Sequence, residues 1–213
     1  MRPFLSPHRC PRCEIRRPLC FCSFIPQLNL ATRVTILMHT SEEQLTSNTA
    51  RLAAKALVHS EVRIHGRRDQ PMSGDGLTLP NFTSLVLFPS SRALELTPEF
   101  VAALDRPVHL IVPDANWRQT TKFARQDPAI AGIRQVKLPF GAPSEYALRT
   151  QRDPSNLCTL EAIARAIGCL ESREAQAVLE KLLGILVERT LWSRGQISAK
   201  LCTIAGIPSE AMR

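Results

Sequence analysis

The run PVHLIVP, residues 107–113, constrains the fold more than any other stretch of the chain. A strand with one wet face alternates apolar and polar residues. This run is apolar almost throughout and ends on proline, which has no N–H to offer a ladder. It reads as a strand buried on both faces, and that arrangement requires helices on both sides of a parallel sheet. SLVLFP (84–89) has the same form. RVTILMH (33–39) and IRQVKLP (133–139) supply two more short strands, and EVRIHGR (61–67) alternates as a half-buried strand does. Helical patterning covers NTARLAAKALVHS (48–60), TPEFVAALD (97–105), TLEAIARAIGCL (159–170) and SREAQAVLEKLLGILVERTLW (172–192). Thr97 stands as an N-cap ahead of Pro98. RDQPMSGDGLTLPN (68–81) is dense in Pro, Gly and Asp and reads as loop. Strands alternating with helices predict an α/β domain with a mostly parallel sheet.

A chain of 213 residues can bury a sizeable core and carry a small appendage. No apolar run approaches the roughly 20 residues needed to span a bilayer. The start, MRPFLSPHRC, lacks the apolar core of a secretory signal, so a cytosolic location and no membrane partner are expected. The net charge of +8 favours a polyanionic partner. The cations fall in patches: Arg9, Arg12, Arg16 and Arg17, then Arg63, Arg67 and Arg68, then Arg118, Lys122 and Arg125. That distribution leans toward nucleic acid.

Residues 1–27 form a Cys-, Arg- and Pro-rich head too small for a hydrophobic core of its own. Cys10, Cys13, Cys20 and Cys22 follow the pattern C-x2-C-x6-C-x-C, two close pairs joined by a turn. Zinc takes four thiolates at tetrahedral corners, and its binding energy can fold such a segment. Four thiolates leave no open position, so the expected role is structural. The other cysteines, Cys158, Cys169 and Cys202, are dispersed, and an odd count in a cytosolic chain argues against a disulfide framework.

In LIVPDANWRQTTKF (110–123), Asp114, Asn116 and Trp117 arrive at the carboxyl end of a predicted central strand, where open α/β sheets bind ligands. Two plainer readings stand beside that one: Asp114 as a helix N-cap and Trp117 as core packing. GAPSEYALRTQRDPSNLCTLEA (141–162) is a polar loop holding the only tyrosine, Tyr146, with Arg149 and Arg152, and Thr159 or Asn156 as a cap for the next helix. MHTSEEQLTSNTARL (38–52) joins a strand to a helix through His39, Glu42, Asn48 and Arg51. Neither a G-x-G-x-x-G turn after a strand nor a G-x-x-x-x-G-K-[ST] loop is present, which disfavours Rossmann dinucleotide enzymes and P-loop NTPases. The H-x-E with P-C-x-x-C of zinc deaminases is missing as well.

Taken in order, CPRC…CFC, SNTARL, LFPS, PDANW, SEYALR and LCTLEA resemble the DTW-domain family over nearly the whole chain. The chain departs from the family at Ala115 and Asn116, where glycine and threonine are usual, at Thr40, where proline is frequent, and at Cys158, a common serine position. The resemblance implies a SPOUT-like sheet with a C-terminal trefoil knot over residues 28–213, behind the zinc-binding head of residues 1–27. It implies transfer of the 3-amino-3-carboxypropyl group of S-adenosylmethionine to N3 of a tRNA uridine, in the variable loop for the bacterial type. It further implies catalytic roles for Asp114 and Trp117. Cofactor contacts would come from Leu87, Phe88, Pro89, Ser90, Pro113, Asp114, Leu138, Pro139, Phe140, Gly141, Ser144, Tyr146, Arg149 and Thr159. Arg9, Arg12, Arg16, Arg17, Arg51, Arg118 and Lys122 would meet RNA. A SPOUT-type RNA methyltransferase, an enzyme acting on ribosomal RNA, and a non-catalytic zinc-containing RNA-binding protein stay open at this level. So does the choice between monomer and homodimer.

Overall fold

A computed structural model describes residues 7–67, 69, 70, 72–148 and 156–212. Arg68, Arg149 and Arg152 lie outside the described residues, as does the side chain of Trp117. The chain lays down β1 (Arg33–His39), α1 (Ala50–Ala56), β2 (Ser60–His65), β3 (Thr83–Leu87), β4 (Leu94–Glu95), α2 (Pro98–Ala102), β5 (Val108–Asp114), α3 (Trp117–Gln126), β6 (Arg134–Lys137), α4 (Thr159–Leu170) and α5 (Arg173–Ser193). Among the described residues the strands form one sheet in the order β2-β1-β5-β3-β6-β4, and every pairing is parallel.

Two layers cover that sheet, and the strand period of two decides which residue meets which. Val34, Ile36 and Met38 of β1, Leu110 and Val112 of β5, and Leu85 and Leu87 of β3 point to the side occupied by α1, α4 and α5. Leu37, Ile111 and Val86 point the other way, against Phe123 and Ala124 of α3 and against Ile130. Residues 108–112 of the apolar run 107–113 are therefore buried on both faces, as a central parallel strand must be. The head shares this core: Leu19 and Phe21 are fully buried in the same cluster as α4 and α5.

Helical patterning over 48–60 gives only seven helical residues. At Leu57 the backbone turns extended (φ −107, ψ 122), and Leu28, just past the head, pairs with the chain there. Leu28 donates to the Ala56 carbonyl at 2.8 Å, and Val58 donates to the Leu28 carbonyl at 3.0 Å. The short edge strand β4 carries no periodic signal. Among the described residues no helix is long and apolar enough to cross a membrane.

The sheet order creates a switch point. From β1 the chain crosses through α1 to β2 on one side, and from β5 it crosses through α3 to β6 on the other. These two strands are neighbours, with Met38 in register with Asp114. Connections that leave adjacent strands in opposite directions open a crevice at their carboxyl ends, the usual ligand position in such sheets.

Candidate active site

Asp114 closes β5 at that crevice and is 6% exposed. By strand parity it shares a face with Leu110 and Val112, and so it meets α1 and α4. Its Oδ2 accepts from Asn48 Nδ2 at 2.7 Å, and its Oδ1 accepts from the Thr159 hydroxyl. A buried carboxylate without donors is costly by several kcal/mol, and two charge-assisted bonds offset about 1.5–3 kcal/mol each. The helix-cap reading of Asp114 does not hold. Asn116 caps α3 instead, its Oδ1 accepting from Gln119 N–H at 3.0 Å.

Asn48 is itself buried and works in two directions. Its Oδ1 accepts from the N–H groups of Ala50 (3.0 Å) and Arg51 (3.4 Å), which starts α1, while its amide holds Asp114. The buried carboxylate of Glu42 stands 3.5 Å from the same amide nitrogen. Thr49 Oγ1 accepts from Leu160 N–H at 3.2 Å, so the first turns of α1 and α4 are tied to each other beside Asp114.

Glu161 was not anticipated as a site residue and is the second hub. It is 3% exposed, and its carboxylate accepts from Ser144 Oγ (2.6 Å), Glu145 N–H (2.7 Å) and Cys158 N–H (2.8 Å). The Ser144 hydroxyl oxygen accepts from Tyr146 N–H at 3.1 Å, and the Tyr146 hydroxyl donates to the Ser47 carbonyl at 2.6 Å. A capping-box signal was present in CTLE, an acidic residue three positions after the helix cap. The cap is Cys158 rather than Thr159 or Asn156. Burial pushes the Cys158 thiol up, so it stays protonated and is no nucleophile.

Leu87–Ser90 and Leu138–Gly141 leave the carboxyl ends of β3, the neighbour of β5, and of β6, the next strand beyond it, at the same edge of the sheet. Phe88 is 4% exposed and packs in the α3-side core, whereas Phe140 is fully exposed. Ser90 Oγ donates to Gln135 Oε1 at 2.5 Å, and Gln135 Nε2 donates to the Ala124 carbonyl at 2.8 Å, linking this edge to α3. Pro113 is half-buried opposite Leu37.

His39 ends β1 on the opposite face from Asp114. Its Nδ1 is 2.8 Å from Ser41 Oγ, and its ring lies edge-on to that of buried His65 with centroids 5.3 Å apart. Burial and the neighbouring His39 lower the His65 pKa to about 4, so His65 is neutral near pH 7. Gly66 (φ +88) completes the packing, since a Cβ there would come within 2.5 Å of the His39 ring.

Among the basic residues, Arg118 and Lys122 lie on the exposed side of α3, and Arg12, Arg16 and Arg17 are exposed on the head. Arg9 is half-buried and donates to the Glu14 carbonyl at 2.8 Å. Arg51 donates through Nη2 to the Glu43 carbonyl at 2.7 Å.

The head holds a candidate metal centre. The four sulfurs of Cys10, Cys13, Cys20 and Cys22 lie within 4.8 Å of one another. Cys10–Cys22, Cys10–Cys20 and Cys13–Cys20 are 3.4, 3.5 and 3.7 Å apart. Tetrahedral zinc–sulfur bonds of about 2.3 Å put ligand sulfurs about 3.8 Å apart, so the donor set fits. Burial raises the Cys13 thiol, and burial with the adjacent thiols lifts Cys22 to about 11. Burial acts upward on Cys10 too, but the Cys13 and Arg12 backbone and the Cys22 and Cys20 thiols draw it down to about 6. Arg189, reaching from α5, donates to the carbonyls of Leu19 (3.0 Å), Cys20 (2.7 Å) and Gly206 (3.2 Å) and lies over the Phe24 ring.

Sequence comparison finds a match to the DTW domain over residues 7–191. The tRNA-uridine aminocarboxypropyltransferase 2 of Macaca fascicularis is 31% identical over 172 residues, covering 76% of this chain and 56% of that protein. Its Drosophila melanogaster counterpart is 29% identical over 174 residues, covering 78% and 68%. The tRNA-uridine aminocarboxypropyltransferase A of Arabidopsis thaliana is 26% identical over 208 residues, covering 84% and 78%. The chain thus spans little more than half the length of the macaque relative. Among solved structures, the SAM-dependent rRNA:acp-transferase Tsr3 from Vulcanisaeta distributa shares the fold, with a TM-score of 0.51, 18% identity and 80% of each chain covered.

Proposed function

The chain belongs to the DTW domain family, and from that premise we propose that it transfers the 3-amino-3-carboxypropyl group of S-adenosylmethionine to N3 of a uridine in tRNA. The observation that carries this reading is the convergence of SNTARL, PDANW and LCTLEA on one buried carboxylate, Asp114, at the sheet's switch point, with SEYALR tied to the first and last of these through Ser47 and Glu161.

The donor supplies a sulfonium leaving group. The uridine N3 attacks the γ-carbon of the aminocarboxypropyl chain; a C–N bond forms, the C–S bond breaks, methylthioadenosine leaves and N3 gives up its proton. Such a displacement gains its rate chiefly from alignment. Asn48 and Thr159 hold the Asp114 carboxylate in one orientation, where it takes the N3 proton or fixes the base by accepting from it. Ser144 and Tyr146 set the 144–146 loop through Glu161 and Ser47, and Arg149 offers a two-pronged fork to the amino-acid carboxylate. Trp117 stacks on adenine or on the base. The edges 87–90 and 138–141 line the adenosine.

Zinc held by the four head cysteines, a catalytic unit over residues 28–213, a C-terminal trefoil knot and a cytosolic site of action belong to the same reading. A cofactor-bound crystal structure tests the knot. The reaction is tested by incubating purified protein with tRNA and S-adenosylmethionine labelled either in the carboxyl or in the methyl group. Carboxyl label is expected in the tRNA. Methyl label there instead would identify a methyltransferase, and label in neither case would leave only an RNA-binding role.

A further inference from the structure

We infer that the cleft between the Cys-rich head and α1 seats a phosphate of the RNA backbone. This rests on the reading of the chain as an RNA-modifying enzyme and adds to it a definite anion site. The cleft brings Arg12 and Glu14 of the head together with Asn48, Arg51 and Lys55 from the start and length of α1. Three cations face one carboxylate there. Lys55 is already engaged, donating to the Arg12 carbonyl and standing 3.6 Å from Glu14.

Arg51 is the residue that asks for a ligand. Its Nη2 is anchored on the Glu43 carbonyl, which fixes the plane of the guanidinium, while its Nη1 is shielded from solvent and has no hydrogen-bond partner. A buried charged donor without an acceptor is unfavourable, and an oxyanion at the cleft supplies the missing acceptor. Phosphate suits the site better than the carboxylate of an amino acid. The zwitterionic end of S-adenosylmethionine carries an ammonium that the cluster of cations repels, and a phosphodiester carries none.

The site is also wired to the reaction centre. The N–H of Arg51 donates to Asn48 Oδ1, and Asn48 Nδ2 donates to Asp114 Oδ2. A phosphate bound at Arg51 therefore steadies the residue that orients the carboxylate, so correct RNA docking and correct positioning of Asp114 depend on one buried amide.

The test measures binding of an unmodified tRNA transcript and of an unrelated hairpin RNA across about 50–200 mM salt, since a phosphate contact is blind to sequence. Arg51→Met is expected to weaken both complexes about tenfold at low salt and to lower the slope of log affinity against log salt by about one. Its S-adenosylmethionine affinity should stay within twofold of the parent. Arg12→Met, at an exposed side chain whose backbone carbonyl still serves Lys55, is expected to lower the slope likewise and carries the test if Arg51→Met does not fold. An unchanged slope in a folded variant, or no RNA binding by the parent, overturns the inference. Loss of S-adenosylmethionine affinity with the RNA slope intact reassigns the site to the cofactor carboxylate and overturns it too. A lowered slope with no aminocarboxypropyl transfer by the parent leaves the phosphate site standing and defeats the proposed reaction alone.

Discussion

Asp114 is the residue on which the candidate chemistry turns, and two of the groups that hold it differ in kind. Asn48 is fixed by its own bonds to the start of α1, whereas Thr159 contributes a hydroxyl from the first position of α4. Asp114→Ala is expected to abolish turnover while tRNA affinity stays near the parent value; surviving activity would reduce Asp114 to a structural role. Thr159→Val removes one donor and keeps the shape. It should lower unfolding free energy by about 1.5–3 kcal/mol and turnover by at least tenfold, read by urea denaturation and single-turnover assay. His65 gives a pH signature. Its folded pKa of about 4 lies below the ordinary 6.5, so the unfolded chain binds the extra proton between those values. Its contribution is fully present above about pH 6.5 and is lost as pH falls toward 4, an effect of up to about 3 kcal/mol. His65→Phe should flatten the stability–pH curve in that window; an unaltered curve would mean that another group is responsible.

At the scale of elements, the first turns of α1 and α4 act as clamps. Short helices cannot hold a site by their own stability, so side-chain bonds to neighbouring loops fix them. Glu161 does this for α4, gathering the 144–146 loop and its own helix start on one carboxylate. Glu161→Gln turns an acceptor pair into an acceptor and a donor, setting an amide N–H against groups that donate. The expected result is a loss of about 2–3 kcal/mol of stability and a larger drop in S-adenosylmethionine affinity than in RNA affinity, measured by calorimetry and by anisotropy. Equal losses of both affinities would show that the loop does not serve the cofactor.

For the molecule as a whole, the head and α5 are one packing unit. Leu19 and Phe21 sit in the core shared with α4 and α5, and Arg189 satisfies carbonyls of the head and of the C-terminal segment together. Arg189→Met leaves buried carbonyls without donors and should cost about 2–4 kcal/mol, seen as a lower denaturation midpoint. The proposed zinc at the four head cysteines is tested by adding a chelator, which is expected to lower the melting temperature of the entire protein in a single transition, because the head and the core share side chains. A separate early transition with an unchanged main one would show that the head unfolds independently.

What the sequence by itself determined is most of the short-range structure. The strand at 107–113 and the helices at 159–170 and 172–192 formed where their periodicity put them, Thr97 capped its helix, and the four cysteines gathered as their spacing required. These depend on neighbours a few residues apart, whose geometry is set by backbone periods and turn chemistry. Only the tertiary structure decided that β5 enters between β1 and β3, which makes the switch point, and that Asn48 and Thr159, 66 and 45 residues away, close on Asp114. It likewise moved the cap of α3 from Asp114 to Asn116 and cut α1 short at Leu57 to pair with Leu28. It also made a hub of Glu161, whose local signal promised only a helix cap. Strand order is chosen by burying both sheet faces at once, a condition on the whole chain that no local period encodes.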